Sequence, residues 1–132
     1  MSELLASPGG TRALLERFHI RPRKKYGQNF LIDRGVIDEI VEAAQITRSD
    51  TVLEIGPGIG TMTQILSRAA GQVVAVEIDR SLEPVLAATL EDCGNVRVHW
   101  SDVLKTDLTA LKDTYNDGQP FKCVSNINSS AI

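Results

Sequence analysis

The chain has 132 residues, 42% of them hydrophobic and 23% charged, the proportions of one small globular domain. No apolar run approaches the roughly 18–20 residues that cross a bilayer, and the N-terminal MSELLASPGGTRALLERF lacks the basic stretch and apolar core of a secretory signal, so a cytoplasmic protein without a membrane partner is expected. The net charge of −3 is unevenly spread: residues 1–30 hold six Arg/Lys against two acids, and residues 31–132 hold eight against fifteen. A basic arm on an acidic body suits an anionic contact such as a nucleic-acid backbone; equally, Arg21, Arg23, Lys24 and Lys25 can form a solvated face.

In chain order, residues 11–20 place Leu14, Leu15 and Phe18 on one helical face, Pro22 interrupts, and KKYGQNFL reads as an ordered loop. Asp33 suits the N-cap of a helix over 34–45, whose Val36, Ile37, Ile40, Val41 and Ala44 form a buried stripe. TVLEI (51–55) is a short buried strand running into a glycine cluster, and TMTQILSRAA (61–70) is a helix stopped by Gly71. QVVAVEI (72–78) is a second strand. Asp79 or Ser81 caps the next helix, which tolerates Pro84 in its first turn and ends by Gly94. NVRVHW (95–100) is a third strand, 103–117 a weak helix around Leu108, Leu111 and Tyr115, and FKCVSNI (121–127) a fourth strand. This alternation predicts an α/β fold with a parallel sheet and helices on both faces. Ligands of such sheets bind at the carboxyl ends of the strands, near the point where strand order reverses.

The isolated residues carry less. Cys93 and Cys123 fit no motif spacing and read as small buried thiols; no cluster has metal-ligand spacing, so no metal is expected. His19 reads as an exposed helix residue, His99 as a strand residue and Trp100 as core.

The chemistry concentrates in Glu54-Ile-Gly56-Pro-Gly58-Ile-Gly60. Glycines after a strand allow a tight turn and close approach of a ligand. A dinucleotide-binding loop has the spacing G-x-G-x-x-G, but position 61 is Thr, and Glu54 would repel a pyrophosphate. That acid can instead accept from an amino-acid ammonium group, directly or through water. S-adenosyl-L-methionine has such a group and no phosphate. Glu77, at the next strand end, is placed for both ribose hydroxyls of an adenosine, and Asp102, after the third, for the exocyclic amine of adenine, with Val103 covering the ring. A Glu77→Ala change is expected to weaken binding and leave the fold intact.

KKYGQNFLID, VLEIGPGIGTMT, VVAVEID and SDVLKTD closely resemble the ribosomal RNA adenine dimethyltransferases, from about Lys24 to Asn126; the erythromycin-resistance methylases of large-subunit RNA share these blocks. The resemblance implies a Rossmann-like, S-adenosylmethionine-dependent methyltransferase fold acting on adenines of small-subunit ribosomal RNA. It places Asn29 and Leu31 against the cofactor with Gln28 beside them, and Asn126 at the first position of the family's N-[IL]-P-Y motif, orienting the target amine. It also turns the basic run towards RNA phosphates.

The pattern breaks after Ile127: Asn128-Ser129 stand where Pro and an aromatic are expected. The expectation is therefore a basic arm over 1–23 and a partial cofactor domain over 24–132. That domain is cut after its fourth strand, without the later strands or the helical RNA-binding domain. Three readings stay open: the N-terminal part of an active methyltransferase, a binding module without turnover, and an oxidoreductase, which the glycine spacing and Glu54 argue against.

Overall fold

The structure, a computed structural model, describes residues 5–21, 30 and 32–125. Five helices and four strands follow one another as α1 (Pro8–Arg17), α2 (Arg34–Ala43), β1 (Thr51–Ile55), α3 (Thr61–Ala69), β2 (Gln72–Glu77), α4 (Glu83–Thr89), β3 (Val96–Trp100), α5 (Leu108–Asn116) and β4 (Lys122–Ser125). The strands form one parallel sheet in the order β3-β2-β1-β4. The chain moves outward from β1 to β3 and then returns to the other side of β1. The order therefore reverses between β1 and β4, the place where the carboxyl ends of an open sheet leave a crevice.

Both faces of the central strands are covered, so β1 and β2 read as near-continuous apolar runs. Val52 and Val73 pack with Ile37, Met62, Ile65 and Leu66 on the layer formed by α2 and α3. Leu53, Val74 and Val76 pack with Leu111 on the opposite layer. The α2 stripe narrows at its start: Ile37 is fully buried, whereas Val36 in the first turn is 46% exposed. Gly71 ends α3 for a packing reason, since a Cβ there would sit 2.3 Å from the carbonyl oxygen of Arg48.

Two expectations about local structure change. The 103–117 segment is not one helix: Asp102 caps a single 3₁₀ turn (Val103–Lys105), Thr106 is extended, and Asp107 caps α5 by accepting from the Ala110 N–H at 3.1 Å. Aspartates offer the backbone an alternative to continued helix, and two of them five residues apart divide the segment. The thiols are not buried either; Cys93 is half-buried and Cys123 exposed. Cys123 pairs in register with the buried Leu53, but the cover over that face does not extend to it on β4, the last strand of the described sheet.

The described part of the basic arm is docked onto the domain. Ser7 caps α1, three residues earlier than the periodicity suggests, and His19 lies just past the helix at φ +53°. Leu5 and Leu14 enter a buried cluster with Phe30, Ile59, Leu82 and Val85. The Leu5 N–H donates to Gln64 Oε1 on α3 at 3.0 Å, and Thr11 Oγ1 donates to the Leu5 carbonyl at 2.8 Å.

Candidate functional site at the strand tips

The glycine loop forms because β1 must turn at once into α3. Gly56, Gly58 and Gly60 all have positive φ, at +71°, +61° and +95°. Their surroundings separate their roles. A Cβ on Gly60 would lie 2.8 Å from Thr89 Oγ1, so this glycine lets α3 approach α4. A Cβ on Gly58 would meet the Phe30 ring at 3.2 Å, whereas one on Gly56 would meet nothing within 4 Å among the described residues. Backbone with room beside it is what a closely approaching ligand requires.

Glu77 ends β2 beside this loop and is 4% exposed. Its Oε1 accepts from the Gly58 N–H at 3.0 Å and its Oε2 from the Asp79 N–H at 2.8 Å. One side chain thus ties the glycine loop to the turn that starts α4. Burial pushes its carboxyl above the ordinary range, partly offset by the N–H groups of Asp79, Gly58 and Ile78. Asp79 is also buried and accepts from Ser81 N–H at 3.1 Å and Ser81 Oγ at 2.6 Å.

Glu54 lies one residue inside the end of β1. It is 1% exposed, and its Oε1 accepts from Thr63 Oγ1 on α3 at 2.5 Å. Burial, with the neighbouring Glu77 charge, pushes its carboxyl up to about 7, against the Thr63 hydrogen bond, which lowers it. The cause is local: Glu54 shares the face of Val52, which α2 and α3 cover.

Past β3, the Ser101 N–H donates to the Glu77 carbonyl at 2.9 Å, so the third tip is joined to the second. Asp102 Oδ1 accepts from the Leu104 N–H at 2.9 Å, and Val103 packs against the core that contains Val74 and Val76. Ile78, next to Glu77, is 45% exposed, an apolar surface at the site. At the fourth tip Ser125 pairs with Ile55, and its Oγ donates to the Ile55 carbonyl at 3.2 Å. Asn126 follows in sequence but lies outside the described residues, as do Gln28, Asn29, Leu31, Arg23, Lys24 and Lys25. Arg21 is described and exposed.

The described site residues therefore meet along one row of strand tips: Glu54, Gly56, Gly58, Gly60, Glu77, Asp102 and Val103. Sequence reasoning missed Phe30, Ile78, Asp79 and Thr63. Phe30 stood inside the GQNFL block, and Thr63 lies nine residues after Glu54, beyond any local pattern. Electrostatically the row is acidic, and among the described residues neither Glu54 nor Glu77 is ion-paired. Such a set accepts hydroxyls and cationic amines and disfavours a pyrophosphate. Among the described residues no three potential metal ligands cluster, and no helix is long and apolar enough to cross a membrane.

Comparison with known proteins gives a consistent result. The sequence profile of the ribosomal RNA adenine dimethylase family matches residues 20–131. A ribosomal RNA small subunit methyltransferase A of Alkaliphilus metalliredigens is 47% identical over 123 residues, which cover 93% of this chain and 43% of that protein. Among solved structures, a 23S rRNA methyltransferase is 35% identical with a TM-score of 0.63, covering 78% of this chain and 40% of that one. A dimethyladenosine transferase from Plasmodium falciparum is 30% identical with a TM-score of 0.54, covering 74% and 33%. The chain spans less than half the length of the curated relatives it matches.

Proposed function

Because the chain belongs to the ribosomal RNA adenine dimethylase family, we propose that it is the cofactor-binding part of an S-adenosylmethionine-dependent methyltransferase. Its substrate is the exocyclic amine of adenines in small-subunit ribosomal RNA, which makes the small ribosomal subunit its partner and the cytoplasm its location. The observation that carries this reading is the Gly56–Glu77 arrangement: open backbone beside a buried carboxylate at adjacent strand tips.

The residues fit the cofactor. Each Glu77 oxygen accepts one backbone N–H and keeps a lone pair for a ribose hydroxyl. Asp102 uses Oδ1 for its own turn, leaving Oδ2 for the adenine amine, with Ile78 and Val103 supplying apolar contact to the ring. Gly56 leaves room for the methionine part. When bound, the cofactor supplies a methyl group on a sulfonium, a strong leaving group. The chain's contribution is placement: on the family resemblance Asn29 and Leu31 would contact the cofactor with Gln28 beside them, Leu31 closing one side of the pocket, and Asn126 would orient the target amine. Orientation of this kind lowers a barrier by several kcal/mol, up to about 10 in well-aligned cases. Arg21, Arg23, Lys24 and Lys25 contact RNA phosphates, which fix register without reading sequence.

A second reading, a module that binds cofactor or RNA without turnover, rests on Asn128-Ser129 in place of Pro and an aromatic. Calorimetry with S-adenosylmethionine and with NAD, followed by methyl incorporation into small- and large-subunit RNA, separates the possibilities. Incorporation into the small-subunit RNA supports the main reading. Cofactor binding with no incorporation supports the module, incorporation confined to large-subunit RNA supports the erythromycin-resistance type, and NAD binding alone overturns all three.

A further inference from the structure

The tips of β1 and β2 hold two carboxyl groups removed from water, and their surroundings are unequal. Glu77 receives the N–H groups of Gly58 and Asp79. Glu54 receives one hydroxyl, that of Thr63 on α3, and among the described residues its second oxygen has no donor. The strands on either side place Ala75 and Val124 in register with Glu54 and bring no charge. From α2 the same layer receives Ile37, while the Arg34–Asp38 pair of that helix stays in solvent. Among the described residues the charged groups that act on this pair are negative: Glu77 acts on Glu54, and Asp79 acts on Glu77. Among the described residues neither carboxyl has a counter-ion, and burial disfavours the charged form most for the acid with fewer donors, Glu54.

Resting on the cofactor reading above, we infer that Glu54 is uncharged in the free protein and that binding of an α-amino ammonium group expels its proton, so that cofactor affinity is coupled to pH. The O–H bond of the Glu54 carboxyl breaks, the proton passes to buffer, and an ammonium N–H becomes the new donor to the free oxygen; no electrons change hands. Burial holding this carboxyl near 7 puts the coupling in the physiological range. Below that value affinity rises by up to about tenfold per pH unit, and above it the dependence levels off.

Titration calorimetry of the whole chain in buffers of different protonation enthalpy, from about pH 6 to about pH 7.5, reads the proton directly. Two probes are needed: S-adenosylmethionine, and 5′-methylthioadenosine, which keeps the nucleoside but lacks the amino acid. The expected result is release of about one proton near the acid limit with the first probe and none with the second. Glu54→Gln keeps an acceptor for Thr63 but cannot ionise, and is expected to bind without release. Thr63→Val removes the donor that favours the charged form and is expected to move the rise in affinity to higher pH. Binding of S-adenosylmethionine with no proton release, release that survives in Glu54→Gln, or equal release with both probes overturns the inference while leaving the cofactor reading in place. Failure of both probes to bind at every pH overturns the cofactor reading instead.

Discussion

The backbone N–H of Gly58 donates to Oε1 of Glu77 at 3.0 Å, joining the first strand-to-helix loop to the tip of the second strand. The residue assigned to the ribose is therefore also a clamp on the loop that approaches the methionine part. Glu77→Ala removes an acceptor shared by Gly58 and Asp79, and leaves buried N–H groups without partners. In contrast to a pure ligand contact, the change is expected to lower stability by about 1–3 kcal/mol as well as cofactor affinity. Glu77→Gln keeps one acceptor and loses less stability than affinity. Urea unfolding and cofactor titration of both variants check this, and an alanine variant as stable as the parent would refute the clamp.

The glycines of the loop make a graded prediction. Gly60→Ala forces a residue with a side chain to φ +95° and brings its Cβ to 2.8 Å from Thr89 Oγ1. The backbone conformation alone costs about 1–3 kcal/mol, and the contact adds to it. Gly56→Ala meets nothing within 4 Å among the described residues and is expected to cost only about 1–2 kcal/mol, yet to weaken cofactor binding because the new methyl fills space left for the ligand. Equal stability losses at the two positions would contradict this division of roles.

Phe30 is 5% exposed and joins the N-terminal segment to the domain through Leu5, Leu14, Ile59, Leu82 and Val85, with its ring over Gly58. Truncation to alanine is expected to destabilise by about 3–5 kcal/mol. Protease cleavage within residues 5–20 is expected to accelerate in parallel, because α1 loses its anchor. A loss below about 1 kcal/mol, or unchanged cleavage, would show that the segment is held by other contacts.

Glu54 gives a pH dependence of folding. Its carboxyl is raised from the ordinary 4.5 to about 7, chiefly by burial. The folded protein thus binds this proton more tightly than the unfolded chain. The stabilisation is fully present below about pH 4.5 and is lost as pH rises through about 7, in total on the order of 3 kcal/mol. Glu54→Gln cannot titrate. The difference in unfolding free energy between parent and variant is therefore expected to move against the parent across this window. A difference that is flat, or that favours the parent at high pH, would place the charge elsewhere.

Much of the layout was legible from local pattern. The runs at 51–55, 72–77 and 96–100 form parallel strands because buried strands of a doubly covered sheet must be apolar and short. The glycine cluster read correctly as a turn, because a strand entering a helix within a few residues needs positive φ. The tips at Gly56, Glu77 and Asp102 follow from the same alternation, since parallel connectivity brings every strand's carboxyl end to one edge.

What local pattern did not contain was the identity of each side chain's neighbours. The charge of Glu54 depends on Thr63 and on the α2–α3 layer, the lack of room for a side chain at Gly60 depends on Thr89, and the exposure of Cys123 depends on where the cover over β4 stops. The N-terminal segment read as an arm because its basic residues are near in sequence, yet its described part is fastened by Gln64 and Phe30. Sequence alone determined the order of elements and the row of acids and glycines, because periodicity and turn chemistry act over a few residues. Only the tertiary structure decided which of those acids is solvated, which is clamped and which glycine faces open space, because desolvation and steric contact arise between segments far apart in the chain.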